Sequence, residues 1–314
     1  MPLNNAQIRY FDSNILRLTA ESRKQYHAQV DRLVEDLRAN IRDQTELKVT
    51  RVFKAGSFAK FTILQKTSID PVDVDVIFYI AGQSIDASSL AGLSDKIFEL
   101  LVKQYPNKSV ADFELQRKAA TVKFVRSGLS VDIVPVIEIA GRPGFGWQFD
   151  IHDGSRVLTN PPGQIQFVRD RKTQDGDFRT LVRMAKKWRN FAELKPLKSF
   201  AIELIMAHVV AINGSGGSIE HRFRNFLLYI AQSGLKEKIQ FPENEAPFGS
   251  FSDPVVVLDP VYSLNNVTSR ISEAERVEIV KAAEDAWYAA QFASAENDND
   301  LWKDLFGKKF RVED

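Results

Sequence analysis

Two periods of hydrophobic repetition organise this chain. Leu47, Val49, Arg51 and Phe53 alternate with Lys48, Thr50 and Val52, so they share one face of a predicted strand. Val72 to Ile80 is almost wholly Val, Ile, Phe and Tyr, broken only by Asp73 and Asp75, and reads as a strand for the interior of a sheet. Arg117 to Arg126 and Leu129 to Ile137 form a predicted hairpin about the turn signal Ser127-Gly128. The 3.6-residue period takes over elsewhere. Residues 19 to 40 form a predicted helix with Thr19 as N-cap and a stripe of Tyr26, Val30, Leu33, Val34 and Leu37. Ala87 to Gln104 repeats the pattern through Leu90, Leu93, Ile97, Leu100 and Leu101. Phe178 to Asn190, the apolar Ala201 to Ile212 and Glu273 to Phe292 are further predicted helices. Between the strand-rich and helical parts, Gly141 to Gly163 is dense in Gly, Pro, Asp and Asn and reads as loop, with Trp147 and His152 expected to pack against it or, as the lesser alternative, to contact a ligand. The expectation is an α/β lobe over residues 1–165 and a helical lobe over 166–314.

Composition narrows the class. Hydrophobic residues make up 44% of the 314, enough to fill two cores. The chain has no cysteine, which excludes disulfides and thiolate zinc sites. Its four histidines, at 27, 152, 208 and 221, have no ligand-like spacing. A net charge of +1 argues against a chain built to coat nucleic acid, so no stable nucleic-acid binding is expected. With no apolar run of membrane length and a polar N-terminus, the expectation is a cytoplasmic protein with no membrane partner.

The chemistry gathers at the Asp-bearing strands. Asp73 and Asp75 point to one side of their strand, and paired carboxylates on an apolar strand call for a cation. Upstream, Gly56-Ser57 follows a strand and opens a short helical turn, a layout in which amides and a hydroxyl cradle phosphate. Lys60, four residues beyond Gly56, is a weaker phosphate candidate. Asp132 supplies a third acid in Leu129-Ser130-Val131-Asp132-Ile133-Val134-Pro135. In the helical lobe, Lys186 lies at the edge of the apolar stripe, where its ammonium can reach a cleft, whereas Lys187 lies opposite that stripe. Pro196 marks a helix start, which puts Ser199 near a helix N-terminus.

Gly56-Ser57, Asp73-Val74-Asp75 and Asp132 resemble the signature of the polymerase-β-like nucleotidyltransferases. Lys186-Lys187-Trp188, Lys198-Ser199-Phe200 with Glu203, and Leu258-Asp259-Pro260 with Asn265-Asn266-Val267 narrow the resemblance to the cyclic GMP-AMP synthase/DncV-like (CD-NTase) family, the oligonucleotide cyclases of bacterial CBASS systems. That resemblance implies an α+β fold: a nucleotidyltransferase lobe with a mixed sheet, a C-terminal helical lobe, and an active site in the cleft between them. It implies a template-independent nucleotidyltransferase making a cyclic di- or trinucleotide messenger from NTPs (ATP, GTP, UTP or CTP), read by a downstream effector. Asp73, Asp75 and Asp132 would hold two Mg²⁺ ions, with Mn²⁺ as a substitute. Gly56, Ser57, Lys186 and Ser199 would bind the triphosphate, and Phe200 would stack on the base or pack in the core. A monomer is expected. The animal members' cysteine-rich zinc insertion is absent, so DNA sensing by that device is excluded. An oligoadenylate synthase-like or RNA-tailing polymerase is the alternative reading.

Overall fold

The computed structural model describes residues 2–65, 71–81, 87–296 and 298–313. Its elements run α1 (Asn5–Phe11), α2 (Ala20–Gln44), β1 (Lys48–Lys54), α3 (Gly56–Lys60), β2 (Val72–Ala81), α4 (Ala87–Gln104), β3 (Phe113–Leu115), β4 (Ala120–Phe124), β5 (Leu129–Glu138), β6 (Gly146–Phe149) and β7 (Arg156–Thr159). Then follow α5 (Pro161–Gln174), α6 (Phe178–Phe191), α7 (Ser199–Asn213), α8 (Ile219–Ser233), β8 (Leu258–Asp259), β9 (Tyr262–Asn266), α9 (Glu273–Glu296) and α10 (Lys303–Phe306). The chain divides into two compact units: Thr19–Lys60 with Lys66–Ile165, and Met1–Leu18 with Phe61–Gln65 and Gln166–Asp314. This departs from a single cut at residue 165. Ile8, Phe11 and Leu16 are fully or almost fully buried in the helical core, which carries the first 18 residues into that unit.

The sheet unit is built on a mixed sheet in the order β1-β2-β5-β4-β3, with β6 and β7 added beside β5. β2 and β5 run parallel and every other neighbouring pair is antiparallel. α2 and α4 pack against it. The α2 stripe of Val30, Leu33, Leu37 and Ile41 is fully buried, each side chain contributing about 1.5–3 kcal/mol from its removal from water. Thr19 caps α2 by accepting from the Ser22 amide, as its position before the stripe predicts. Along β2, Val72, Val74, Val76, Phe78 and Ile80 are wholly buried on one face, and Asp73 and Asp75 begin the other.

The stretch expected to be loop, 141–163, instead holds β6 and β7. Glycine content hid two short strands there: Gly146 has no room for a side chain, because a Cβ would lie 2.3 Å from Val136. β6 pairs with β5 at Ile137 and Glu138, well past Asp132, so this stretch flanks the far end of the strand. Trp147 is 36% exposed and His152 is exposed, so neither is packed away as expected.

In the helical unit, α6, α7 and α8 centre a single core that includes Trp188, Leu204, Phe223 and Phe226. α6 is buried on nearly every side: Thr180, Arg183 and Lys186 join its apolar residues in the interior. Among the described residues, no helix is long and apolar enough to cross a membrane.

Candidate active site

The geometry begins with a register. Parallel pairing of β2 and β5 sets Asp75 beside Asp132, and Asp73 beside Ser130. Neighbouring strands lie roughly 4.8 Å apart, so the three carboxylates issue from one side of two adjacent strands. Asp73 is exposed, and Asp75 and Asp132 are partly buried.

The glycine of the Gly-Ser pair is part of the same construction. Gly56 has φ +57°, and a Cβ on it would lie 1.7 Å from Oδ2 of Asp75. Any other residue would be both strained and in collision with the carboxylate. The Ala55 amide donates to the Asp75 carbonyl at 2.7 Å, so the start of α3 is fastened to β2 at that aspartate. Ser57 follows in the first turn of α3, partly buried, and Lys60 closes the helix with only 4% exposure.

Asp132 is held in an unfavourable electrostatic setting. Burial, chiefly, together with the negative charges of Asp75, Asp73 and Glu114, pushes its carboxyl up to about 7. Thr121 opposes this: its hydroxyl donates to Asp132 Oδ1 at 2.6 Å. Thr121 is fully buried and stands directly opposite Asp132 on β4. Counting outward from the 125–128 turn pairs Phe124 with Leu129 and therefore Thr121 with Asp132, so this partner was obtainable from the hairpin register.

The donor set suits a hard divalent cation: three carboxylates on one face, one of them raised by burial and by the negative charge of the others. Among the described residues, no group of three or more histidine, aspartate or glutamate side chains is already arranged so that it could hold a metal ion.

The remaining candidates lie in the helical unit. Lys186 is not at an exposed edge. It is 2% exposed, and its ammonium donates to Glu203 Oε1 at 2.7 Å, Thr62 Oγ1 at 2.9 Å and the Thr62 carbonyl at 3.3 Å. The helical wheel misplaced it because a wheel presumes one wet side, and α6 has almost none. Lys187 is partly exposed. Ser199 is the first residue of α7, and its hydroxyl accepts from Arg189 Nη2 at 3.3 Å. Phe200 is partly buried against the helical core.

The Asp-Pro and Asn-Asn pair is architectural here. Asn266 accepts from the amides of Val257 and Thr268, each at 3.0 Å, and donates to Asp253 and to the Val255 carbonyl. Asp259 accepts from the Val261 amide and from Asn265. These bonds tie the strands of the small β8–β9 sheet to the segment before it.

Comparison with known proteins agrees with this construction. The profile of the Second Messenger Oligonucleotide or Dinucleotide Synthetase domain matches residues 1–171. The chain is 62% identical to the CBASS oligonucleotide cyclase CdnC of Escherichia coli (strain KTE188), over 100% of this chain and 99% of that protein. It is 32% identical to the cyclic AMP-AMP-AMP synthase of Escherichia coli (strain MS 115-1), over 91% of each. The solved structure of E. coli MS115-1 CdnC with ATP superposes with a TM-score of 0.82 at 30% identity, covering 98% of this chain and 99% of that one. A complex of the same CdnC with HORMA-deltaN gives 0.81 at 30% identity, covering 98% of each chain. The chain belongs to the family of second messenger oligonucleotide or dinucleotide synthetases and is a nucleotidyltransferase of the CBASS oligonucleotide cyclase kind.

Proposed function

We propose that this enzyme joins nucleoside triphosphates into a cyclic di- or trinucleotide, with Asp73, Asp75 and Asp132 as its catalytic carboxylates. The observation that carries the reading is the parallel register that sets Asp132 beside Asp75, with Gly56 bare against that same carboxylate. Asp73 and Asp75 would hold two Mg²⁺ ions, or Mn²⁺ in their place, and Asp132 would share one of them. When bound, such ions neutralise an α-phosphate and make a ribose hydroxyl nucleophilic. Gly56 and Ser57 lie where main chain and hydroxyl can meet the donor's triphosphate. Thr121 keeps one oxygen of Asp132 engaged and leaves the other for its ligand. Pyrophosphate leaves in each round, and ring closure repeats the attack on the linear intermediate's own triphosphate.

Ser199 and Phe200 remain candidates for triphosphate and base contact. Lys186, whose ammonium bonds to Glu203 and Thr62, remains a candidate for triphosphate contact with them. The cyclic AMP-AMP-AMP synthase relative supports ATP among the substrates, and the HORMA-deltaN complex of E. coli MS115-1 CdnC supports a protein partner of that kind beside the downstream effector of the product. The test is product analysis from mixed NTPs with Mg²⁺. The cyclase reading predicts short, phosphatase-resistant products whose masses match closed rings. A primer-dependent ladder of linear chains would replace it with the tailing polymerase.

A further inference from the structure

One face of α2 is built around the Gly-Ser turn. Arg23, His27 and Asp31 are spaced four apart, so they stack along a single stripe of the helix. Asp31 forms an ion pair with Lys54, two residues before Gly56. Arg23 Nη2 donates to the carbonyl of Phe58, two residues after Gly56. Its guanidinium also lies over the Phe58 ring, 4.4 Å from the centroid. The His27 ring packs against that same ring at 4.7 Å, inclined by 58°. Burial, with help from Lys54 and Arg23, lowers the pKa of His27. Phe58 itself is fully buried.

α3 has five residues, too few to satisfy its own last carbonyls or to hold its shape alone. It is pinned at one end by the contact of Gly56 with Asp75 and at the other by Arg23 on Phe58. A cation at the C-terminal end of a helix also meets the favourable end of its dipole. Ser57 lies between the two pins.

We propose that Arg23 is the positioning residue of the Gly56-Ser57 turn, supported by His27 and Asp31, and that nucleoside triphosphate binding depends on it. The proposal rests on the reading of that turn as the triphosphate cradle. It is tested by calorimetric binding of a non-hydrolysable ATP analogue with Mg²⁺, together with amide hydrogen exchange over residues 56–60. The variants are Arg23→Ala, Arg23→Lys and, as control, Lys24→Ala, which alters an exposed cation on the same helix. Arg23→Ala is expected to weaken binding by about tenfold or more, the scale of a small misplacement of a binding group. Exchange at 56–60 should accelerate while Tm stays close to that of the control. Arg23→Lys should recover part of the affinity, since an ammonium can reach the carbonyl but has no plane to lay on the ring. Affinity equal to the control, or unchanged exchange over 56–60, overturns the proposal. If Arg23→Ala fails to fold, the same two readings on Arg23→Lys decide. If the wild type does not bind the analogue, the triphosphate reading fails instead, and exchange alone decides whether Arg23 holds the turn.

Discussion

Charge is held differently in the helical core and along the β2–β5 strand pair. In the helical unit each buried cation has an anion: Lys186 with Glu203 at 2.7 Å, Arg183 with Asp12 at 2.5 Å, and Arg222 with Asp175. Neutral groups complete the shells, as when Thr180 donates to Asp12 and Arg183 donates to the Phe61 carbonyl. In the sheet unit three carboxylates share one side of two strands, and Asp132 is driven up to about 7 by burial and by its acidic neighbours. Buried ion pairs of the first kind hold a structure together only while both partners remain. Like charges of the second kind work against folding, and a chain retains them for what they bind. The contrast is what the proposed assignment of the carboxylates to the site rests on.

The largest effect should come from the carboxylates. Asp73→Asn with Asp75→Asn is expected to lower turnover at least about 10³-fold, the scale of losing a main electrostatic stabiliser of the transition state. Tm without metal should hold or rise. Near-normal turnover would end the comparison, because the acidic cluster would then have no chemical task.

Lys186 breaks the comparison from the other side. Lys186→Met strands Glu203 in the core and should destabilise by about 3–5 kcal/mol in denaturant unfolding. Lys186→Met with Glu203→Leu should recover most of that loss. If Lys186→Met left stability intact and removed nucleotide binding, the lysine would belong with the site.

Asp132 gives a pH signature in the metal-free protein. Its folded pKa is raised from 3.8 to about 7, so the folded state holds a proton that the unfolded state has lost. Stability from this group is therefore greatest near and below pH 4, falls as pH rises towards 7, and stays low above it. Asp132→Asn removes the penalty, so at pH 8 it should be more stable than wild type by roughly 1–4 kcal/mol, with the gain shrinking towards pH 4. A gain equal at both pH values would contradict the cause given for the shift. The smallest effect is expected at Lys187→Ala, within about 0.5 kcal/mol of wild type, as for other surface substitutions.

Local pattern marked the candidate site more plainly than it marked the scaffold. Asp73, Asp75 and Asp132 interrupt strong period-2 strands, and an acid in an apolar strand is visible in any reading of the chain. The contact of Gly56 with Asp75 was implicit in their order but needed the fold to show that a Cβ has no space. The burial of Lys186 was not legible because its surroundings are set by Thr62 and Glu203, which are distant in sequence. The first 18 residues carry too short a repeat to announce where they pack, and only the burial of Ile8, Phe11 and Leu16 settles it. β6 and β7 are four residues each, shorter than the window in which alternation can be recognised.

The most direct measurement is a thermal-unfolding titration with Mg²⁺ in the presence of a non-hydrolysable ATP analogue, run on wild type and on Asp73→Asn/Asp75→Asn. The account predicts that wild type starts no more stable than the variant and gains Tm with each increment of Mg²⁺, as a ligand bound only by the folded state requires. The variant should show no Mg²⁺-dependent gain. A wild type that ignores Mg²⁺, or a variant that responds equally, would contradict the assignment of these aspartates to the metal-bound nucleotide.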